Sequence, residues 1–262
     1  GWLAYALSPV YASHVRENLE ASGVCRDRAA CRDLRRQVIA ETGKGVSELI
    51  AVWFGTDEAV ARRVACDDWW IAEQAQREGC GVMFLTPHLG CFEVAGVYAA
   101  QQSPITILYR PPKLAWLEPL MIAGRQRARA KLAPANLRGV RMLYRALKNG
   151  EAIGLLPDQT PGVGEGVWAS FFGRPAYTMT LVRRLQKSTG AAVIMAFAER
   201  LPRGRGYRLH LQRLPTAGFD EPGLNRAIEA LVRRCPAQYL WGYNRYKIPA
   251  GVPGPAMQTH GV

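Results

Sequence analysis

The chain is short of acid. It carries 21 Asp and Glu against 34 Lys and Arg, a formal charge of +13. The excess is spread along much of the chain rather than confined to one tail, so anionic partners are expected: nucleic acid, phosphate-bearing lipid or an acidic protein. Metal-type spacing is missing as well. Cys25, Cys31, Cys66, Cys80, Cys91 and Cys235 make no C-x-x-C pair and no zinc-type pattern with the four histidines, which disfavours both metal and disulfide sites. There is no signal peptide, and no apolar run reaches the roughly 18 residues expected of a membrane-spanning helix. The chain opens Gly1-Trp2-Leu3 rather than at a methionine, which leaves room for an anchor ahead of it. With no G-x-x-x-x-G-K, and no G-x-G-x-x-G between strand and helix, nucleotide binding is not indicated.

What is present is ample apolar material, 48% of 262 residues, enough to bury a substantial core. Residues 1–80 read as helical: "RAACRDLRRQVIAETGKGVSELIAVWF" and "DEAVARRVACDDWWIAEQAQREG" place apolar residues three and four apart among charges, with no strand pattern between them. From Gly81 short apolar runs alternate with helical patterns: "GVMFLT", "LGCFEVAGVYAAQQ", "ITILYR", "LAWLEPLMIAGRQRARAKL", then strands near Ile153 and Val193. The last strand turns through "RGRG" into "YRLHLQRLP", a hairpin. The expected fold class is α/β, a mixed sheet flanked by helices with a helical N-terminal region. One domain, 1–262, is expected: a helical region 1–80, an α/β core 81–215, and a C-terminal helix and tail 216–262. That helix places Leu224, Ala227, Ile228, Leu231, Val232 and Cys235 on one face and leaves a largely basic face outside.

The stretch "FLTPHLGCFEVAG" carries the chemistry. Residues five apart on a helix point about 140° away from each other, so His88 and Glu93 can meet only if His88 lies on the strand-to-helix turn. Pro87 favours that, because the residue before a proline is pushed extended. Glu93 then falls in the first helical turn, where the dipole favours an anion. There it is expected to hold the imidazole's tautomer, making His88 a general base for an alcohol. Cys91, between them, reads as packing rather than a nucleophile.

The motif H-x-x-x-x-D/E after an apolar strand resembles that of the late acyltransferases of lipid A biosynthesis, the lauroyl/myristoyl type. Three further blocks agree in order and spacing: "ITILYRPPK" with "WLEPLMIAGRQRARAK", "GVRMLYRALKNGEAIGLLPDQTPGVGEGVWASFFGRPAYT", and "PAQYLWGYNRYK". The likeness runs from about Asn18 to Lys247. It implies transfer of a fatty acyl group from an acyl carrier protein thioester to the hydroxyl of a hydroxyacyl chain on a lipid A precursor. His88 and Glu93 would be catalytic; Arg125, Arg110 and Asp158 would contact substrate. No cofactor or metal is implied, the thioester being the donor substrate. Of the arginines, Arg125 is expected to grip a phosphate, with Arg127, Arg129 and Lys131 as a basic approach, while backbone N–H groups after His88 serve the oxyanion. The family more often carries a second basic residue within "WGYNRYK", which leaves an acceptor contact at Asn244 unassigned. The residues present do not include the N-terminal membrane helix usual there.

Arg138, Arg141, Arg145 and Lys148 recur at helical spacing opposite Val140, Leu143, Tyr144 and Leu147, a basic stripe suited to lipid phosphates or an acidic carrier protein. The glycine-rich loop after Asp158 offers Trp168, Phe171 and Phe172 to an acyl groove or to the core. Membrane association at the cytoplasmic face of a bacterial inner membrane is expected, through the C-terminal helix, the stripe and nearby aromatics. Two alternatives stand beside this: a glycerolipid or aminolipid O-acyltransferase, whose usual Pro-Glu before Gly is replaced here by "PDQTPG", and a non-catalytic basic membrane-surface or nucleic-acid-binding protein. The basic residues lack nucleic-acid recognition motifs, so no nucleic acid is expected.

Overall fold

In a computed structural model, which describes residues 1–112 and 114–255, the chain opens with helices α1 (Trp2–Leu7), α2 (Pro9–Ala21), α3 (Arg28–Phe54) and α4 (Asp57–Ala61). The core then runs β1 (Val64–Ala65), α5 (Trp69–Arg77), β2 (Val82–Leu85), α6 (Phe92–Gln102), β3 (Ile105–Tyr109), α7 (Glu118–Arg125), β4 (Ala130–Pro134), α8 (Leu137–Lys148) and β5 (Ala152–Leu155). It closes with β6 (Gly166–Phe171), β7 (Arg174–Met179), α9 (Leu181–Thr189), β8 (Ala192–Arg200), β9 (Tyr207–Leu214) and α10 (Glu221–Arg234). Seven strands form one sheet in the order β1-β9-β8-β2-β5-β3-β4; β6 and β7 pair separately. All neighbours in the large sheet are parallel except the β8–β9 hairpin.

The sheet is covered on both faces, which is why β2 reads as one uninterrupted apolar run. Met83, Leu85, Ile153, Leu155, Val193 and Met195 point into one cluster, where Leu143 and Leu147 of α8 and Leu224, Ile228 and Leu231 of α10 meet them. Val82, Phe84, Ala152, Ala192, Ile194 and Ala196 point the other way, under α6. Alternation on neighbouring in-register strands builds both layers at once.

Several elements differ from the sequence reading. β1 interrupts the first 80 residues, held by β9 through a two-residue pairing too short to leave a pattern. β4 lies inside "RQRARAKLAP", whose Ala and Lys continue a helical texture; its strand state comes from in-register pairing with β3. The glycine-rich segment after Asp158 is a β6–β7 hairpin, turned by Phe172 and Gly173 at φ 47° and 73°. A Phe-Gly turn lacks the usual Asn-Gly signal. Cys25 and Cys31 form a disulfide: the Asp27 cap starts α3 between them, which brings their Cα atoms within 5.2 Å.

The turn after β2 is fixed by close backbone contacts. Gly90, at φ 63°, lies so near β8 that an added Cβ would sit 2.0 Å from the Ala198 carbonyl oxygen. The Cys91 amide donates to that same oxygen at 2.8 Å. We expect Gly90→Ala to cost about 1–3 kcal/mol from the left-handed backbone alone, with the clash added. Chemical denaturation of the purified variant checks this, and a midpoint equal to wild type would contradict the packing described.

Candidate active site

Parallel β2, β3 and β5 end on the same edge of the sheet, where α/β folds commonly bind ligands. His88 leaves the end of β2 on the turn before α6, as the Pro87 reading expects, and Asp158 leaves the end of β5. They meet across the edge: His88 Nδ1 lies 2.8 Å from Asp158 Oδ1, and the His88 amide donates to Oδ2 at 2.9 Å. Asp158 is buried and the imidazole is nearly so. Burial on its own would push the Asp158 carboxyl up. The His88 charge and its two hydrogen bonds outweigh that and hold the carboxyl below the usual carboxylate range. In the neutral imidazole, giving Nδ1–H to Asp158 leaves the lone pair on Nε2. Gln159 Nε2 lies 3.2 Å from it, and the Phe92 ring packs edge-on against the imidazole with centroids 5.0 Å apart.

Glu93 falls in the first turn of α6, as expected, but the carboxylate on His88 is Asp158, not Glu93. Among the described residues the hydrogen bonds of Glu93 go to Arg125. Arg125 Nε donates to Oε1 and Oε2 at 3.1 and 3.0 Å, and one terminal nitrogen adds a third contact. The pair is largely buried, and the guanidinium lies 5.9 Å from the Trp53 ring centroid. Arg127 is also committed, to Asp57 and to the carbonyls of Val52 and Gly55. The expected basic approach is thus partly a buried bracket between α3 and the sheet. Arg110, one residue past β3 on the same edge, is exposed and has no ion pair among the described residues. Cys91 is buried, and burial, with the Glu48 charge, pushes its thiol up to about 12, far from a thiolate nucleophile at neutral pH.

The C-terminal segment holds both halves of the histidine–aspartate pair, a part the spacing of the motif could not reveal. Leu240 N donates to the His88 carbonyl at 3.0 Å and Gly90 N to the Gln238 carbonyl at 3.1 Å. Two residues past Asp158, Thr160 N donates to the Tyr243 hydroxyl at 2.9 Å and Thr160 Oγ1 to the Arg245 carbonyl at 3.3 Å. Arg245 itself is buried and donates to the Tyr177 carbonyl and Thr178 Oγ1. Asn244, between them, is exposed. "YLWGYNRY" is therefore a strap across the two turns.

Under α6, against the sheet, lies an apolar cavity of about 450 Å³ including its open mouth. Thr86 and Phe92 line it beside His88; Gly96, Ile107, Gly154 and Leu156 continue it. Trp168, Phe171 and Phe172 are not in this wall. They belong to the β6–β7 hairpin, where Phe171 and Phe172 are core.

Comparison with known proteins gives a consistent answer. The family model of the bacterial lipid A biosynthesis acyltransferases matches residues 1–248. The chain is 27% identical over 268 residues to the lipid A biosynthesis lauroyltransferase of Escherichia coli K12, covering 97% of this chain and 85% of the relative. It is 30% identical over 246 residues to the lipid A biosynthesis palmitoleoyltransferase of the same organism, covering 90% and 78%. A lipid A biosynthesis acyltransferase of Shigella flexneri matches to the same extent.

The lowered Asp158 carboxyl has a pH consequence of definite sign. A group whose folded pKa is depressed contributes stability above its unfolded value, about 4 for aspartate. That contribution is lost as pH falls through the lower folded value. Asp158→Asn should therefore be less stable than wild type at neutral pH by about 1–3 kcal/mol, with the gap closing in acid. Denaturant titrations at several pH values measure it, and a gap independent of pH would contradict the assignment.

Proposed function

Because the chain belongs to the bacterial lipid A biosynthesis acyltransferase family, we propose that its reaction moves a fatty acyl group from the thioester of an acyl carrier protein to the hydroxyl of a hydroxyacyl chain on a lipid A precursor. The observation that carries this reading is His88, tied through Nδ1 to buried Asp158, with Nε2 turned toward the Gln159 amide beside the apolar cavity, where it can serve as a base. The acceptor hydroxyl displaces the Gln159 amide from Nε2 and attacks the thioester carbonyl carbon as His88 takes its proton. The tetrahedral oxyanion collapses, the carbon–sulfur bond breaks, and the imidazolium returns the proton to the leaving thiolate. Asp158 orients the ring and stabilises the imidazolium without itself taking the proton. This moves Asp158 from substrate contact to positioning.

The amides after His88 are less available to the oxyanion than the sequence suggested. Leu89, Gly90 and Cys91 already donate to the carbonyls of Pro87, Gln238 and Ala198. Phe92 and Glu93, at the first turn of α6, are the amides that remain for that role. Arg125 is held by Glu93 rather than free for a phosphate, so its contribution is to fix that first turn in place. Exposed Arg110 at the end of β3 is the better phosphate contact. The acyl tail takes the cavity under α6, whose lining is almost wholly apolar. The acidic carrier protein meets the exposed Arg138, Arg141, Arg145 and Lys148 of α8, whose N-terminal end opens on the same edge as His88.

The deciding experiment incubates purified protein with acyl carrier protein thioesters of several lengths and a tetra-acylated lipid A precursor, read by mass spectrometry. Wild type should add one acyl group, and His88→Ala should lose about 10²–10⁴ in rate without losing its fold. No mass gain on the precursor with any donor would sink this reading. Gly154→Val should shift preference to shorter donors, since Gly154 lines the cavity and a Cβ there already meets Ile107 at 3.4 Å and Ile105 at 3.5 Å on the neighbouring strand. An unchanged donor profile would remove the tail from this cavity.

A further inference from the structure

The base nitrogen of His88 is not bare. Nδ1 faces a carboxylate, which only accepts hydrogen bonds, so the neutral ring carries its proton there and Nε2 is an acceptor. Whatever faces Nε2 must then donate, and the group that does so is the side-chain amide of Gln159, whose Nε2 lies 3.2 Å away. Among the described residues the hydrogen bond of this side chain goes to His88. Its direction is set by its neighbours in the chain. Asp158 before it is buried and holds both the ring and the amide of His88. Thr160 after it is buried too, donating from its amide to the Tyr243 hydroxyl at 2.9 Å and from its own hydroxyl to the Arg245 carbonyl at 3.3 Å. With both flanking residues pinned, the half-buried Gln159 side chain lies on the nitrogen that the proposed chemistry uses.

Occupying that nitrogen opposes catalysis, because the acceptor hydroxyl has to sit where the amide sits. It also opposes the competing nucleophile, water. A water on Nε2 beside a bound thioester would give its proton to His88 as its oxygen bonds to the carbonyl carbon; the carbon–sulfur bond then breaks and the imidazolium returns the proton to the thiolate. The products are a free fatty acid and the carrier thiol, and the donor is consumed with nothing transferred. Keeping water from a reactive acyl group is a general need of transferases. The two nucleophiles differ in what they bring to the displacement. Water has only its own hydrogen bonds to exchange for that of the amide. A lipid acceptor is held at many points remote from its hydroxyl and can use that binding to move Gln159 aside. The other groups on the ring cannot make this choice: Asp158 holds the far nitrogen, and the Phe92 ring lies edge-on with its centroid 5.0 Å from that of the imidazole.

We propose that Gln159 is a specificity-determining residue of this site, a guard on His88 Nε2 that keeps water from the acyl donor and yields to the acceptor hydroxyl. It touches the reacting nitrogen, but what it governs is the choice of nucleophile rather than the strength of the base. The proposal rests on the proposed function for the identity of donor and acceptor, whereas the cover on the nitrogen belongs to the site without substrate.

The test compares the full chain with its Gln159→Ala and Gln159→Asn variants. Each is given acyl carrier protein thioester with and without a tetra-acylated lipid A precursor, and free fatty acid and acylated precursor are both measured by mass spectrometry. Asparagine keeps the amide but is a methylene shorter, so it falls short of Nε2 while preserving the polarity of the turn. In both variants the ratio of hydrolysis to transfer should rise about three- to tenfold, the factor that one neutral hydrogen bond is worth. A merely structural role would lower both reactions together, so an unchanged ratio overturns the proposal, as does a rise in the alanine variant with none in a folded asparagine variant. Circular dichroism checks the fold of each, and the asparagine variant carries the test if alanine disturbs the turn. A second measurement needs no donor. Diethyl pyrocarbonate modifies an accessible imidazole nitrogen, and peptide mass spectrometry with His14 of α2 as internal reference should show His88 modified about three- to tenfold faster in the variants than in wild type. No acceleration at His88 overturns the proposal. If it accelerates while neither wild type nor variants consume any donor, the cover on the nitrogen stands and the proposed function fails.

Discussion

A buried carboxylate at the end of a parallel strand is the constraint on which the site is built. Asp158 has almost no access to water, and an isolated ion there would be costly. It remains charged because His88 gives it two hydrogen bonds, one from the ring and one from the backbone. The backbone bond fixes the position of the histidine's Cα and the ring bond fixes its direction. Together they leave one nitrogen facing outward. The register of β2 with β5 sets the distance, since Leu85 pairs with Leu155 and each functional residue follows three positions later.

Two turns that must stay within hydrogen-bond reach cannot be secured by their strands alone. The C-terminal strap does this by bonding to the backbone on both sides, at His88 and Gly90 on one turn and at Thr160 on the other. Its own anchor is Arg245, a buried guanidinium that donates to neutral oxygens and is costly to disturb because it has no water to fall back on. Glu93 and Arg125 play the corresponding part beneath α6, tying its first turn to α7. Removing either partner would leave the other buried and uncompensated, so loss of activity at these positions need not mean contact with substrate.

The parts of this site legible in the sequence were those written locally. Pro87 after an apolar run placed His88 on a turn, and the first-turn position of Glu93 followed. The partner of the imidazole did not, because it lies 70 residues away, and chain spacing carries no information about which strand ends are neighbours. Asp158 could be recognised as a strand-end acid but not assigned. The strands β2, β3, β5, β8 and β9 were legible because they are long or wholly apolar. β4 and the β6–β7 hairpin depend on partners for their conformation, and their local composition argues for helix or loop. The Cys25–Cys31 bond was missed because its spacing matches no motif; a helix cap between the two residues makes it possible.

The charge excess takes a different meaning once burial is known. Arg125, Arg127, Arg200 and Arg245 are internal fasteners, bound to carboxylates or carbonyls, and say nothing about partners. The exposed charge is spread over several elements, and its setting differs between α8 and α3. That of α8 combines four exposed cations with Leu137 and Tyr144 as its exposed apolar side chains, a surface suited to an acidic protein. That of α3 grades from arginine into exposed Val46, Ile50 and Phe54, a different composition. A transferase in this family needs a donor and an acceptor brought together at one edge. In the proposed reaction the cations of α8 would serve the acidic donor protein, while exposed Arg110 at the end of β3 is left for the phosphates of the acceptor.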